Sequence, residues 1–155
     1  MKAKKIYTDG GCHGNPGPGA WAFRIVDAQG RVETEESGHE TATTNNRMEL
    51  TAVIRALRHV VATAESSSAE STWIVITDSQ YVRQGITDWI NRWRRNGWQT
   101  SAKKPVKNVE LWKELDSLAD RVNPQWAWVK GHAGNEHNEA CDALVQVSIA
   151  EHNQA

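Results

Sequence analysis

The chain opens with strand-like patterns. Lys4 to Asp9 is short and β-favouring, Ala20 to Val26 follows a glycine-rich loop, and Arg31 to Ser37 lies beyond a turn at Gln29-Gly30. This third stretch is polar and alternating, which predicts a position near a sheet edge. The period then changes: Leu50, Val53, Ile54, Leu57, Val60 and Val61 recur three and four apart, predicting a helix, with Thr43, Thr44 and Asn45 as candidate N-caps. Thr72 to Thr77 is a continuous apolar run, as expected of a strand buried on both faces, and Asp78 ends it. Helices are predicted from Ser79 to about Gly85 and from Thr87 to Asn96, the second closed by Gly97 as a left-handed cap. After a basic loop from Trp98 to Asn108, a helix covers Val109 to Arg121 with Leu111, Trp112, Leu115 and Leu118 inward. A strand from Gln125 to Lys130 and a helix from about Asn135 to Ala150 complete the order.

Three hairpin-linked strands leading into strands joined by helical crossovers predict an α/β fold, a mixed sheet with helices packed on its faces. The 155 residues suit one domain with one core. The Ser-rich run from Glu65 to Ser71 reads as a solvated connection within it.

Composition changes this picture in one place. Apolar residues make up 39% and charged residues 24%, ordinary for a globular chain, and the net charge of −1 says nothing about a partner. The distribution does. From Trp89 to Val109 there is no acidic residue, and Arg92, Arg94, Arg95, Lys103, Lys104 and Lys107 gather there, six of eighteen basic residues. Trp89 and Trp93 lie one helical turn apart, with Trp98 close behind. Such a run is often only a solvated face, and the rings can be a small core. Aromatics interleaved with cations also suit a nucleic-acid surface, with the rings packing and the cations binding phosphate. Cys12 and Cys141 form no CxxC and read as free thiols of a reducing compartment. No signal-peptide core and no bilayer-spanning stretch is present, so a cytoplasmic protein, monomeric and without membrane contact, is expected.

Four acids carry the candidate chemistry. Asp9 ends the first strand and Asp78 the buried one; in α/β sheets the functional crevice lies at carboxyl ends of strands. Glu49 stands in the first turn of the long helix, and Asp142 on the last helix. Singly, each has a plainer reading: Asp78-Ser79 as a cap, Glu49 as a capping-box acid three residues beyond Asn46, Asp142 as a solvated helix residue. Together they would repel one another, and a divalent cation resolves that conflict. Oxygen donors suit magnesium or manganese rather than zinc, and two such ions can clamp a phosphodiester. His132, in the loop Gly131-His132-Ala133-Gly134, is either a surface histidine or a proton shuttle beside the metals.

Six segments, in order, resemble the ribonuclease H family in its bacterial type 1 form: Tyr7 to Gly11, Gly14 to Gly19, Thr43 to Leu50, Thr77 to Val82, Lys104 to Val109 and Val129 to Gly134. The resemblance runs from about Ile6 to Leu144. It implies five strands with helices on both faces, and an endonuclease cutting the RNA strand of RNA–DNA hybrids to leave 3′-hydroxyl and 5′-phosphate ends. It assigns metal binding and catalysis to Asp9, Glu49, Asp78 and Asp142, proton handling to His132, and a supporting role to Glu139. Asn15, Asn46 and Gln80 match positions at the RNA strand, where amides can both donate to and accept from a 2′-hydroxyl, and Asn45 is a further substrate-binding position. Thr44 and Asn108 match a pocket for a DNA phosphate, Cys12 falls near the hybrid surface, and Trp89 to Lys107 match a basic protrusion that grips it. No protein partner is required. Gly11 stands where the family often has serine, His13 where an apolar residue is common, and the Ser-rich connection is longer than usual. The competing readings are a non-catalytic hybrid-binding module and a structure-specific DNA nuclease of the same fold.

Overall fold

The computed structural model describes residues 2–64, 71–129 and 135–153. The strands are β1 (Lys2–Cys12), β2 (Gly17–Val26), β3 (Val32–Thr43), β4 (Ser71–Thr77) and β5 (Gln125–Trp128). They form one sheet in the order β3-β2-β1-β4-β5. The first three are antiparallel neighbours, whereas β4 adds parallel to β1 and β5 parallel to β4. The expected mixed sheet is therefore present, with β3 at an edge.

Alternation along β1 divides the core. Ile6 points into a cluster with Trp21, Phe23 and Ile25 of β2 and Val75 of β4. The helix α1 (Asn45–Ala64) lies on that face, burying Met48, Leu50, Val53, Ile54, Leu57 and Val60, and α4 (Val109–Val122) packs beside it through Trp112, Leu115 and Leu118. Tyr7 and Ile76 point the other way and, with Ala20, Ala22 and Val26, meet Cys141, Val145 and Ile149 of α5 (Glu136–Asn153). Thr44 caps α1, its hydroxyl accepting from the Arg47 N–H at 3.2 Å, which selects among the three predicted caps.

One boundary departs from expectation. The helices α2 (Gln80–Gln84) and α3 (Ile90–Asn96) are not separated at Gly85 but joined by a π-helical turn, Gly85–Trp89. Gly85 has ordinary helical angles (φ −63°, ψ −47°), and a Cβ there would lie 1.9 Å from the Trp112 ring. The glycine is present for close packing, not as a break, which single-sequence punctuation does not distinguish. Gly97 is the predicted left-handed cap, at φ 78°. β1 also runs beyond Asp9 to Cys12, because backbone pairing with β2 continues through Gly10 and Gly11 where apolar patterning stops. β5 ends at Trp128, short of the predicted Lys130, which lies outside the described residues.

Candidate active site

The parallel pairing of β1 with β4 sets Tyr7 opposite Ile76, both on the α5 face. Asp9 and Asp78 each lie two residues further on, so the strand period returns both carboxylates to that face at the carboxyl end of neighbouring strands. Glu49 arrives from the first turn of α1. It is 6% exposed and accepts the Gly10 N–H at 2.6 Å, rather than serving as a capping-box acid. Ligand oxygens of Asp9, Glu49 and Asp78 all lie within 4.8 Å of one another. Asp142 of α5 stands outside that group of three but lines the same cavity, and its charge raises the proton affinity of Asp9. A cavity of about 30 Å³ is lined by Thr8, Asp9, Asp78, Asn138, Glu139 and Asp142.

This crowding shows in proton affinity. Burial, then the charges of Asp78 and Asp142, push the Asp9 carboxyl up from 3.8 to about 8, against the lowering effect of the Gly10 N–H. Burial, then the charges of Asp9 and Asp78, hold Glu49 well above the usual carboxylate range. Ser79 is shared: its oxygen caps α2 by accepting from the Val82 N–H at 3.1 Å, and it hydrogen-bonds Glu49. Converging carboxylates with raised proton affinity fit a hard divalent cation, which replaces the protons as the compensating charge. Asp9, Glu49 and Asp78 bring their oxygens close enough to hold it together.

The remaining predicted residues distribute around this edge. Asn15 Oδ1 accepts from the Asn45 N–H at 3.2 Å, tying the β1–β2 loop to the start of α1. Cys12 Sγ lies 3.0 Å from the Gly14 carbonyl oxygen, and Asn46 and Gln80 are exposed. Thr44 and Asn108 are linked through Arg47, whose Nη1 donates to Asn108 Oδ1 at 3.1 Å and to Glu110 at 2.6 Å. Asn108 in turn donates to the Tyr81 hydroxyl at 3.1 Å, which also accepts from Trp112 Nε1 at 3.0 Å. His13 contacts Gln146 of α5 at 3.0 Å. His132 and Lys130 fall in residues 130–134, and most of the Ser-rich connection in 65–70, all outside the described residues.

The basic window is more mixed than its charge suggests. Trp89 and Trp93 are rooted in the main core: Trp93 lies 5.4 Å from Trp112 and 5.9 Å from Trp98 between ring centroids. The cation over Trp98 is Lys113 at 6.0 Å, not one of the arginines. Arg94 Nε reaches both carboxylate oxygens of Asp116 on α4, at 3.0 and 3.1 Å, so this arginine braces α3 against α4. Arg92, Arg95, Lys103, Lys104 and Lys107 are exposed. Residues not singled out as functional from sequence, Arg47, Tyr81 and Asn138, are tied to the site by geometry. Only the i, i+4 spacing of Asn138 and Asp142 signalled any of them.

An α/β sheet with oxygen donors converging at the carboxyl ends of parallel strands is a candidate divalent-cation site. The RNase H family model matches residues 1–150. A ribonuclease H of Treponema denticola is 53% identical over 149 residues, covering 91% of this chain and 93% of that one. A ribonuclease HI of Neisseria meningitidis is 51% identical, with 94% of each chain covered. Among solved structures, LC9-RNase H1 superposes with a TM-score of 0.82 at 29% identity, over 97% of this chain and 74% of that one. LC11-RNase H1 in complex with an RNA/DNA hybrid matches with a TM-score of 0.72 at 25% identity, over 97% and 99%. The chain belongs to the ribonuclease H family.

Proposed function

We propose that this protein is an endonuclease that hydrolyses the RNA strand of RNA–DNA hybrids, leaving 3′-hydroxyl and 5′-phosphate ends. The observation that carries this reading is the meeting of Asp9, Glu49 and Asp78 oxygens within 4.8 Å. The hybrid-bound LC11-RNase H1 supports the substrate class. Asp9, Glu49, Asp78 and Asp142 hold the cations, magnesium with manganese as the alternative. When bound, these supply positive charge to the scissile phosphate and to the attacking water. Glu139 supports the acid pocket from α5, and His132 handles the proton. Asn15, Asn46 and Gln80 read the 2′-hydroxyl, the group that marks a strand as RNA, with Asn45 beside them on the substrate surface, so base sequence matters little. Cys12 lies on the same surface, and Thr44 and Asn108 seat a phosphate of the DNA strand beside Arg47.

The test is cleavage of a labelled hybrid and of the matching DNA duplex with magnesium. Cutting confined to the RNA strand supports the reading. Equal cutting of the duplex would turn it to a structure-specific DNA nuclease, and tight binding without cutting to a hybrid-binding module.

The exposed cations grip the hybrid, while Trp89 and Trp93 anchor them and Arg94 braces from behind. Changing Lys103, Lys104 and Lys107 to Ala is expected to raise KM roughly tenfold with kcat little altered, and to flatten the salt dependence by about 2 in log–log slope. Unchanged salt dependence would remove the lysines from the interface.

Cytoplasmic action as a monomer completes the reading. Cys12 and Cys141 are unpaired, no described helix is long and apolar enough to cross a membrane, and among the described residues large exposed apolar side chains are limited to Val32 and Val147.

A further inference from the structure

The first turn of α5 holds a side chain that the acids alone do not explain. Asn135 caps the helix, its Oδ1 accepting from the N–H groups of His137 at 2.9 Å and Asn138 at 3.2 Å. This directs Asn138, one turn before Asp142, into the lining of the carboxylate cavity. Its Nδ2 is buried and donates to nothing among the described residues. Where Asp9, Asp78, Glu139 and Asp142 are ionised, the NH2 side of the amide suits this lining, because its oxygen would face other acceptors.

An orphaned buried donor costs stability, and retaining one inside a functional cavity implies an acceptor that arrives with the reaction. The occupant must accept from the amide and be compatible with carboxylates. Water does both: it accepts from Nδ2 through oxygen and donates both hydrogens to carboxylate oxygens. The cavity, at about 30 Å³, has room for it.

Resting on the nuclease reading above, we infer that Asn138 holds the attacking water in the acid pocket, its amide N–H fixing the water oxygen while the neighbouring carboxylates take the hydrogens. The amide neither gains nor loses a proton. It contributes by orienting a lone pair toward phosphorus before the bond forms.

The test compares Asn138→Ala and the near-isosteric Asn138→Leu with the wild type. In both, kcat on a hybrid is expected to fall about tenfold with KM within about twofold, because orientation of the nucleophile is lost and hybrid binding is not. In metal-free protein neither variant is expected to melt below the wild type, because Nδ2 donates to no protein group among the described residues. A purely structural Asn138 predicts the reverse: lower melting temperatures with kcat per folded molecule unchanged. Either that result, or a KM increase at unchanged kcat, overturns the inference. If wild-type protein leaves the hybrid intact in the same assay, the nuclease reading falls and this inference with it. The wild-type control separates that failure from one confined to the variants.

Discussion

Asp9→Asn is expected to reduce hybrid cleavage by at least about 10³-fold, roughly 4 kcal/mol of transition-state stabilisation, while hybrid binding stays within a few-fold of wild type. Asparagine preserves shape but removes the charge with which β1 would hold the cation. Retained cleavage with magnesium would remove Asp9 from the site. The same substitution has a second, opposite consequence. Asp9 holds its proton up to about 8 in the folded chain, against 3.8 ordinarily. Between those values the folded state carries a proton that the unfolded state has lost, so stability falls as pH rises toward 8. Metal-free Asp9→Asn should therefore melt above wild type at pH 8, with the gap closing toward pH 4. Magnesium should stabilise wild type more at pH 8 than at pH 5, because the ion binds ionised carboxylates. Calorimetry across that range reads both trends, and a wild type indifferent to magnesium would contradict them.

The second large effect belongs to a residue without a side chain. A Cβ at Gly10 would lie 2.3 Å from the Met48 carbonyl carbon, 2.4 Å from its oxygen and 2.5 Å from the Glu49 nitrogen. All are backbone atoms of α1, so no side chain can swing aside. Gly10→Ala must separate β1 from α1, which also breaks the Gly10 N–H bond to Glu49. A loss of about 3 kcal/mol in stability is expected from the forced repacking and the lost charged hydrogen bond. Among molecules that still fold, cleavage should fall by roughly 100-fold, because Glu49 is displaced from Asp9 and Asp78. Urea midpoints and single-turnover rates measure the two parts, and a variant with wild-type midpoint and rate would refute the contact.

Much of this arrangement was legible in the chain. Periodicity separates β4 from α1 because a strand buried on both faces and an amphipathic helix write different patterns. The position of Asp78 at the end of β4 followed directly, whereas Asp9 lies within β1, which runs on to Cys12. Their convergence with Glu49 and Asp142 did not, because it depends on β1 pairing parallel with β4 and on α5 crossing that edge, contacts between residues far apart in sequence. Gly85 misled because a glycine serving close helix packing and one ending a helix look alike until Trp112 is in place. The pairing of Arg94 with Asp116 was not legible because Asp116 lies outside the acid-free window. Asn138 was marked only by its i, i+4 spacing from Asp142, because an amide gains meaning from what surrounds it.

The aromatic packing beneath α3 has a practical consequence. Trp89, Trp93, Trp98 and Trp112 neighbour one another there, half of the eight tryptophans in the chain. The intrinsic ultraviolet emission of the protein is thus weighted toward the junction between the basic arm and the body. If nucleic acid docks on that arm as proposed above, its effect on this packing is expected to register optically in the unlabelled, unmutated protein.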